Sequence, residues 1–321
     1  MEVNRRIGKV GVLMGGPSSE REVSFKSGKA VFEALRGADI DAVAIDIVTV
    51  DRGQNIKLLK RHDLDVVFIA LHGEFGEDGG IQEILEGLSL PYTGSGVKAS
   101  GLAMDKIASR KIFEEKGIRV PRYRVMHKAE WIGGLGAPAD FKTPMVIKPA
   151  SNGSSIGLSM IGSAKGFDQA MRLAFSFDER VLIEEYLQGR EMTVGILDDA
   201  ALPVIEIISK HQLFDYEAKY HVGLTDYIVP AQIDAVLSRK IQDAALAAHR
   251  ALGCTGYSRA DLILKDNIPF VLEVNTIPGF TATSLLPKAA KEAGIEFAEL
   301  CLKLLNLAYE KTETKYTRAV G

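Results

Sequence analysis

The chain has 321 residues, 46% of them hydrophobic, which is enough for two or three domains with their own cores. Its 39 lysines and arginines nearly balance 42 aspartates and glutamates, so a basic surface for nucleic acid or an anionic membrane is not expected, and small molecules are the favoured partners. Cys254 and Cys301 lie in apolar sequence, which favours buried, reduced thiols and a cytoplasmic protein.

The first ninety or so residues alternate short apolar segments with helical patterns, which predicts a doubly wound parallel sheet. Ser19 and Glu22 form a capping-box pattern for the first helix. Ligands of such sheets bind where the strands end, so Glu20 and His72 are candidate ligand contacts, although a lone histidine at such a place is equally typical of a structural role. The strands are expected at residues 9–14, 41–48 and 65–72.

The patterns beyond this sheet change to α+β, which divides the chain into units at residues 1–95, 96–188 and 189–321. One continuous helical pattern covers 97–117. A polar segment at 211–227 has no clear period, and a loop of that length is usually functional. Its Lys219 and Tyr220 could close over a bound nucleotide, or could simply be solvated.

A loop rich in glycine and serine, residues 148–157, follows a buried strand expected at 144–149. Its glycines would let backbone N–H groups approach phosphate oxygens, and Lys148 adds a positive charge. The spacing differs from a Walker A loop, and such a loop alone is more typical of a hairpin turn. Further along, Glu184 and Glu185 end a strand and could meet an adenine, or could be ordinary solvated acids.

The segment from Arg259 to Asn275 is the most informative part of the sequence. Two apolar segments flank the turn-rich residues 265–269, which predicts an antiparallel hairpin with Asp261 opposite Glu273. Side chains alternate along strands, so Arg259, Asp261, Glu273 and Asn275 share one face. Two opposed carboxylates are costly without a cation between them, and Mg2+ with few protein ligands completes its shell from phosphates. The hairpin therefore predicts a magnesium–nucleotide site; the alternative is an exposed hairpin with solvated acids.

These features together resemble the ATP-grasp superfamily, and within it the D-alanine:D-alanine ligase family. No single motif is decisive, but their order along the chain is specific. The motifs that carry the resemblance are residues 15–24, 70–73, 76–79, 91–96, 104–106, 148–157, 215–220 and 273–279.

The resemblance implies an N-terminal doubly wound sheet followed by two ATP-grasp subdomains that hold ATP between them. It implies a reaction in which one D-alanine is phosphorylated by ATP and the resulting acyl phosphate is attacked by the amine of a second D-alanine. Two Mg2+ or Mn2+ ions are implied on Asp261, Glu273 and Asn275, with Arg259 and the Gly279 N–H stabilising the oxyanion. A monovalent cation and a homodimer are further expectations. The ATP contacts it implies are Lys106, Lys148, Ser154, Ser155, Glu184, Glu185, Leu187, Glu191 and Lys219.

The resemblance also assigns the amino-acid subsites. Glu20 would hold the first ammonium group and His72 would lie near that substrate, while Ser284 and Leu285 would meet the second carboxylate. Glu20, Ser154 and Tyr220 would form a hydrogen-bonded triad that closes the site, and Tyr220 favours the dipeptide over D-alanyl-D-lactate. Two alternatives remain open, namely a ligase for D-lactate or D-serine and a nucleotide-binding module without turnover.

Overall fold

The computed structural model describes residues 7–131, 133, 136–153, 156–209 and 225–320, with side chains up to 311. Three sheets and their helices make up this part of the chain. The elements up to the middle of the chain are Val10–Gly15 (β1), Arg21–Gly37 (α1), Ala42–Ile47 (β2), Arg52–Lys60 (α2), Val66–Ile69 (β3), Gly80–Gly87 (α3), Val97–Met104 (α4), Lys106–Glu115 (α5), Tyr123–His127 (β4), Met145–Pro149 (β5) and Ser159–Ile161 (β6).

The remaining elements build most of the largest sheet and the helices around it. They are Phe167–Phe175 (α6), Arg180–Glu185 (β7), Arg190–Leu197 (β8), Ala200–Ala201 (β9), Ile205–Ser209 (β10), Thr225–Ile228 (β11), Ala235–Leu252 (α7), Tyr257–Lys265 (β12), Ile268–Asn275 (β13), Leu285–Glu292 (α8) and Phe297–Val320 (α9). Across the described residues, every helix is too short or too polar to span a lipid bilayer.

The N-terminal sheet is parallel, as the sequence predicts, and its strand order is β2-β1-β3. β1 and β3 are buried throughout, whereas β2 alternates between buried and exposed residues; α1 packs on β1 and β2, and α9 packs on β3. The predicted capping box is wrong: the N-cap of α1 is Glu20, whose side chain makes no capping bond. β3 ends at Ile69, three residues earlier than expected, so His72 lies in the loop beyond the sheet.

The helix expected at 97–117 is two helices, α4 and α5, separated at Asp105. Asp105 has an extended backbone and accepts hydrogen bonds from the Ile107 and Ala108 N–H groups, so it caps α5. This break gives Lys106 the first position of α5. A four-stranded antiparallel sheet, β4-β7-β5-β6, follows and is called the central sheet; α6 packs against its strands β5, β6 and β7.

The largest sheet is antiparallel in the order β11-β10-β8-β12-β13, with β9 paired to β8. Helix α7 packs on β8, β12 and β13, and α8 packs on β8. β11 occupies Thr225–Ile228, so the end of the expected 211–227 loop is a strand paired with β10. The rest of that loop, including Lys219 and Tyr220, lies outside the described residues.

One hydrophobic core joins the N-terminal sheet to the C-terminal helices α8 and α9. Phe280 lies at its centre, with ring centroids 5.3 Å from Phe68, 5.8 Å from Tyr257 and 5.6 Å from Phe297. These rings come from β3, β12 and α9 and from the segment after β13. The segment that contains Gly279 is therefore fixed against the N-terminal sheet by buried aromatic packing.

Candidate nucleotide and metal site

The β12–β13 hairpin brings the four predicted polar side chains to one face of the sheet. Arg259 pairs with Asn275 and Asp261 pairs with Glu273, as the sequence predicts. The turn is shorter than expected: β12 reaches Lys265 and β13 starts at Ile268, with Asp266 and Asn267 both at positive φ between them. Such a two-residue turn is typical of β-hairpins.

The Asp261–Glu273 pairing depends on a β-bulge in β13. Below the turn, Leu262 pairs with Val271, whereas the next residue of β12, Asp261, pairs with Glu273. Leu272 is therefore an extra residue on β13, and without it the register would place Glu273 on the opposite face. The bulge is the local feature that aims Glu273 into the site.

The Asp261 carboxylate is surrounded by donors. Arg259 donates to both of its oxygens at 2.8 and 2.7 Å, and the Thr193 hydroxyl donates to Oδ1 at 2.6 Å. The Asn275 amide donates to Oδ2 at 3.2 Å. Across the hairpin, Lys106 Nζ lies 3.6 Å from Glu273 Oε2. Cations thus flank both acids and offset the repulsion between them.

The donor set fits a hard divalent cation. Among the described residues no group of three or more His, Cys, Asp and Glu side chains could hold a metal, so the candidate ligands are two carboxylates and the Asn275 amide oxygen. Oxygen ligands suit Mg2+, which commonly binds through one or two carboxylates and takes further ligands from water and substrate phosphates. The hairpin is therefore complementary to a metal that arrives with a phosphate ligand.

A cleft with about 940 Å3 of empty space, part of it open to solvent, lies between the central sheet and the largest sheet. Its apolar lining comes from both sheets, with Val146 and Ile156 on the side of β5 and Ile263 on β12, and such a lining suits a flat base. Its polar lining includes the predicted metal ligands Asp261 and Glu273. The predicted nucleotide contacts in the lining are Lys106, Lys148, Glu184, Glu185, Leu187 and Glu191.

Glu184 and Lys148 form a buried ion pair on neighbouring strands β7 and β5, with Nζ 2.8 Å from Oε2. Burial lowers the pKa of Lys148, and Glu184 opposes that effect. Burial alone would raise the pKa of Glu184, but Arg110 and Lys148 lower it below its usual value. The ion pair therefore opposes the effect of burial on both groups: Glu184 favours the ammonium form of Lys148, and Lys148 with Arg110 favours the carboxylate form of Glu184.

Three polar residues of the site were missed by the sequence reasoning: Arg110, Thr193 and Asn152. Arg110 is fully buried and its Nη2 lies 2.7 Å from Glu184 Oε1. The Asn152 carbonyl accepts a hydrogen bond of 2.7 Å from Lys106 Nζ. Arg110 had a detectable signal, since it lies four residues after Lys106 on the same helix and so shares its face.

The glycine-serine loop runs from β5 towards the N-terminal unit. A Cβ atom built on Gly153 would lie 3.1 Å from Glu20 Oε2, so the loop passes directly beside this buried carboxylate. Ser154 and Ser155, the next two residues, lie outside the described residues. The structure thus brings Glu20 next to the predicted loop, although Glu20 is not part of the cleft lining.

His72 is buried and engaged at both ring nitrogens. Nε2 lies 2.9 Å from the Ser27 hydroxyl, and Nδ1 lies 3.0 Å from the Ile277 carbonyl and 3.2 Å from Glu77. Burial raises the pKa of Glu77, and the hydrogen bond to His72 opposes this. Ser27 also accepts from the Phe280 N–H at 3.1 Å, so this network ties the N-terminal unit to the Gly279 segment.

The predicted second-carboxylate residues lie beyond that segment at the start of α8. Ser284 is the N-cap residue, and its hydroxyl accepts from the Thr281 N–H at 3.0 Å. A Cβ atom on Gly279 would lie 3.4 Å from this hydroxyl, so the two residues are neighbours. The Leu285 side chain is buried in the core, which leaves its backbone rather than its side chain for a polar ligand.

Family models match both halves of the chain, described as the D-ala D-ala ligase N-terminus over residues 48–95 and the D-ala D-ala ligase C-terminus over residues 112–306. The D-alanine–D-alanine ligase of Geotalea uraniireducens is 47% identical over 301 residues, covering 94% of this chain and 95% of that protein.

Solved structures agree. The D-alanine–D-alanine ligase of Bacillus anthracis complexed with ATP superposes with a TM-score of 0.84 at 33% identity, covering 96% of this chain and 99% of that one. The VanG D-Ala:D-Ser ligase of Enterococcus faecalis gives 0.81 at 32% identity, covering 94% of this chain and 100% of that one. This chain belongs to the D-alanine–D-alanine ligase family.

Proposed function

We propose that this protein joins two D-alanines to D-alanyl-D-alanine with conversion of ATP to ADP and phosphate, for peptidoglycan synthesis. The observation that carries the proposal is the cleft in which Lys106 and Lys148 face the acidic pair Asp261 and Glu273. This arrangement suits ATP, because the two lysines can bind phosphate oxygens and the two carboxylates can bind the metal ions that accompany a triphosphate. The family membership supplies the amino-acid chemistry.

ATP is proposed to lie in this cleft with its base between the apolar side chains of the two sheets, near the end of β7. Lys106 and Lys148 would bind phosphate oxygens, together with Lys219 and the loop residues Ser154 and Ser155. Asp261, Glu273 and Asn275 would hold two Mg2+ or Mn2+ ions, which when bound neutralise charge on the transferred phosphoryl group. The residues proposed for the base and ribose are Glu184, Glu185, Leu187 and Glu191.

The reaction would proceed in two transfers. The carboxylate of the first D-alanine attacks the γ-phosphorus of ATP, forming an acyl phosphate and releasing ADP. The amine of the second D-alanine, after losing a proton, attacks the acyl carbon, and inorganic phosphate leaves as the peptide bond forms. Arg259 and the Gly279 N–H would stabilise the oxyanion of the tetrahedral intermediate.

Glu20 is proposed to bind the ammonium group of the first D-alanine, with His72 nearby. Ser284 and the backbone of Leu285 would bind the carboxylate of the second. Glu20, Ser154 and Tyr220 would close the site over the acyl phosphate, which must be protected from water. The short approach between Gly153 and Glu20 supports this arrangement.

Three units are proposed at residues 1–95, 96–188 and 189–321, with ATP held between the second and third. The first receives helix α9 of the third on its sheet. A cytoplasmic homodimer is proposed as the working form. The two buried, unpaired cysteines support the reducing compartment, and the resemblance to the family is the basis for the homodimer.

The test is phosphate release from ATP and Mg2+ with D-alanine, D-serine or D-lactate as the second substrate, with and without K+, and with the products identified by mass spectrometry. D-Alanyl-D-alanine formed with one phosphate per dipeptide is the expected result. Faster turnover with D-lactate would identify a depsipeptide ligase instead, and faster turnover with D-serine a mixed-dipeptide ligase. ATP binding without any D-alanine-dependent phosphate release would rule out a ligase.

A further inference from the structure

Arg110 is a fully buried arginine at the junction of the two sheets that form the cleft. It lies on α5, and its Nη1 donates to the Val271 carbonyl of β13 at 2.6 Å. Its Nη2 donates to Glu184 Oε1 of β7 at 2.7 Å. A single guanidinium thus joins the central sheet to the metal-binding hairpin, immediately beside the Leu272 bulge.

Glu184 is shared between two cations, one on each carboxylate oxygen. Arg110 occupies Oε1, while Lys148 Nζ is restricted to Oε2 at 2.8 Å. The three buried groups therefore carry one net positive charge rather than forming a closed neutral pair. Without Arg110, Glu184 and Lys148 would neutralise each other, and the cleft would lose that charge.

The excess charge lies where a polyanion would bind. Lys148 and Glu184 both line the cleft, together with Lys106, which is on the helix turn before Arg110. Arg110 itself does not line it. A buried charge is weakly screened by solvent, so one positive charge close to phosphates changes their binding energy by more than it would at a surface.

We propose that Arg110 is a positioning residue for ATP, which orients Glu184 and so keeps the Lys148 ammonium and a net positive charge available to the phosphates. This inference deepens the proposed function and rests on ATP binding in the cleft. It predicts a selective effect: nucleotide affinity depends on the Arg110 charge, whereas D-alanine affinity does not.

The experiment is calorimetric titration of the whole protein with a nonhydrolysable ATP analogue and Mg2+, in the absence of D-alanine. Arg110→Met should raise the Kd by about tenfold or more, because it removes one charge near the phosphates. Arg110→Lys keeps the charge and one of the two contacts, so its Kd should fall between the Met variant and the wild type. The KM for D-alanine should change in neither variant.

Arg250→Met is the matched control. Arg250 also holds a carboxylate, Asp199, with two hydrogen bonds, but the pair is exposed and outside the cleft. Its Kd should equal that of the wild type. Thermal unfolding of every variant separates lost stability from lost affinity, and Arg110→Gln serves as the neutral variant if Arg110→Met does not fold, since its amide can still donate one bond.

The inference would be overturned by a neutral variant with wild-type affinity, by equal losses in the neutral and lysine variants, or by a parallel rise in the KM for D-alanine. A wild-type protein that does not bind the ATP analogue would instead refute the proposed function. The two failures are therefore distinguishable in the same titrations.

Discussion

Asp261 faces Glu273 across the β12–β13 pair because Leu272 adds one residue to β13 between them and the turn. The bulge turns Glu273 to the same face as Asp261, where Lys106 and Arg259 offset the negative charges. The two carboxylates can therefore bind a metal cation together, because the neighbouring lysine and arginine reduce the repulsion between them.

Replacing Glu273 tests the metal assignment. Glu273→Gln should lower kcat by at least about 100-fold, since a metal at a phosphoryl group stabilises the transition state by several kcal/mol. The control is Asp266→Asn, which removes a carboxylate from the turn of the same hairpin and keeps a residue that tolerates its positive φ. Steady-state rates at saturating Mg2+ give the answer, and a Glu273→Gln enzyme close to the wild-type rate would disprove the assignment.

Thr193 should strengthen metal binding at the Asp261–Glu273 pair through its hydrogen bond to Asp261. Thr193→Val removes the hydroxyl with little change of shape, and partners of metal ligands typically contribute about 10-fold to 100-fold in affinity. We expect the Mg2+ concentration for half-maximal rate, and Mn2+ affinity measured by electron paramagnetic resonance, to weaken by about 10-fold. Thr193→Ser keeps the hydroxyl and should remain near the wild type; equal losses in both variants would contradict the role.

His249 should make stability depend on pH. It is buried on α7, its Nδ1 lies 2.7 Å from the Ser258 hydroxyl, and burial lowers its pKa to about 4. The unfolded chain therefore binds more protons than the folded one between pH 6.5 and about 4. Protonation of His249 therefore does not reduce the free energy of unfolding above pH 6.5. As the pH falls towards 4, it reduces that free energy by up to about 3 kcal/mol.

Urea unfolding at pH 7 and pH 5 measures this loss. His249→Asn removes the titrating group and should show a shallower decline than the wild type, because the contributions of the carboxylates remain in both proteins. His127→Asn, at an exposed position on β4, should decline as the wild type does. Identical declines in all three proteins would mean that His249 does not control the acid sensitivity.

Tyr220 should govern acceptor choice, as the family resemblance implies. Tyr220→Phe is expected to keep the fold and to increase the share of D-alanyl-D-lactate at low pH, where the competing D-alanine amine is protonated. The measurement is the ratio of the two products from equal acceptor concentrations. Tyr309→Phe, on α9, is the control, and an unchanged ratio in Tyr220→Phe would remove Tyr220 from the specificity determinants.

The sequence predicted the N-terminal sheet and the polar face of the β12–β13 hairpin because both depend on local patterns. Alternation along each strand places Arg259 with Asp261 and Glu273 with Asn275, and apolar strands between helices predict a parallel sheet. The five-residue turn expected at 265–269 gives the same Asp261–Glu273 register as the two-residue turn with the Leu272 bulge. The apolar period predicts one helix over 97–117, because periodicity does not reveal that the Asp105 side chain caps a new helix. Local chemistry at single residues decides such boundaries.

Residue types, strand alternation and the order of the motifs were thus determined by the sequence itself, and they were sufficient to indicate a magnesium–nucleotide site and a family. Tertiary structure alone decided the Leu272 bulge, the packing of α9 on the N-terminal sheet, and the Arg110–Glu184–Lys148 cluster. Periodicity shows which face of an element is buried but not which distant element covers it. Arg110 and Glu184 are 74 residues apart, so only the folded chain could bring their charges together.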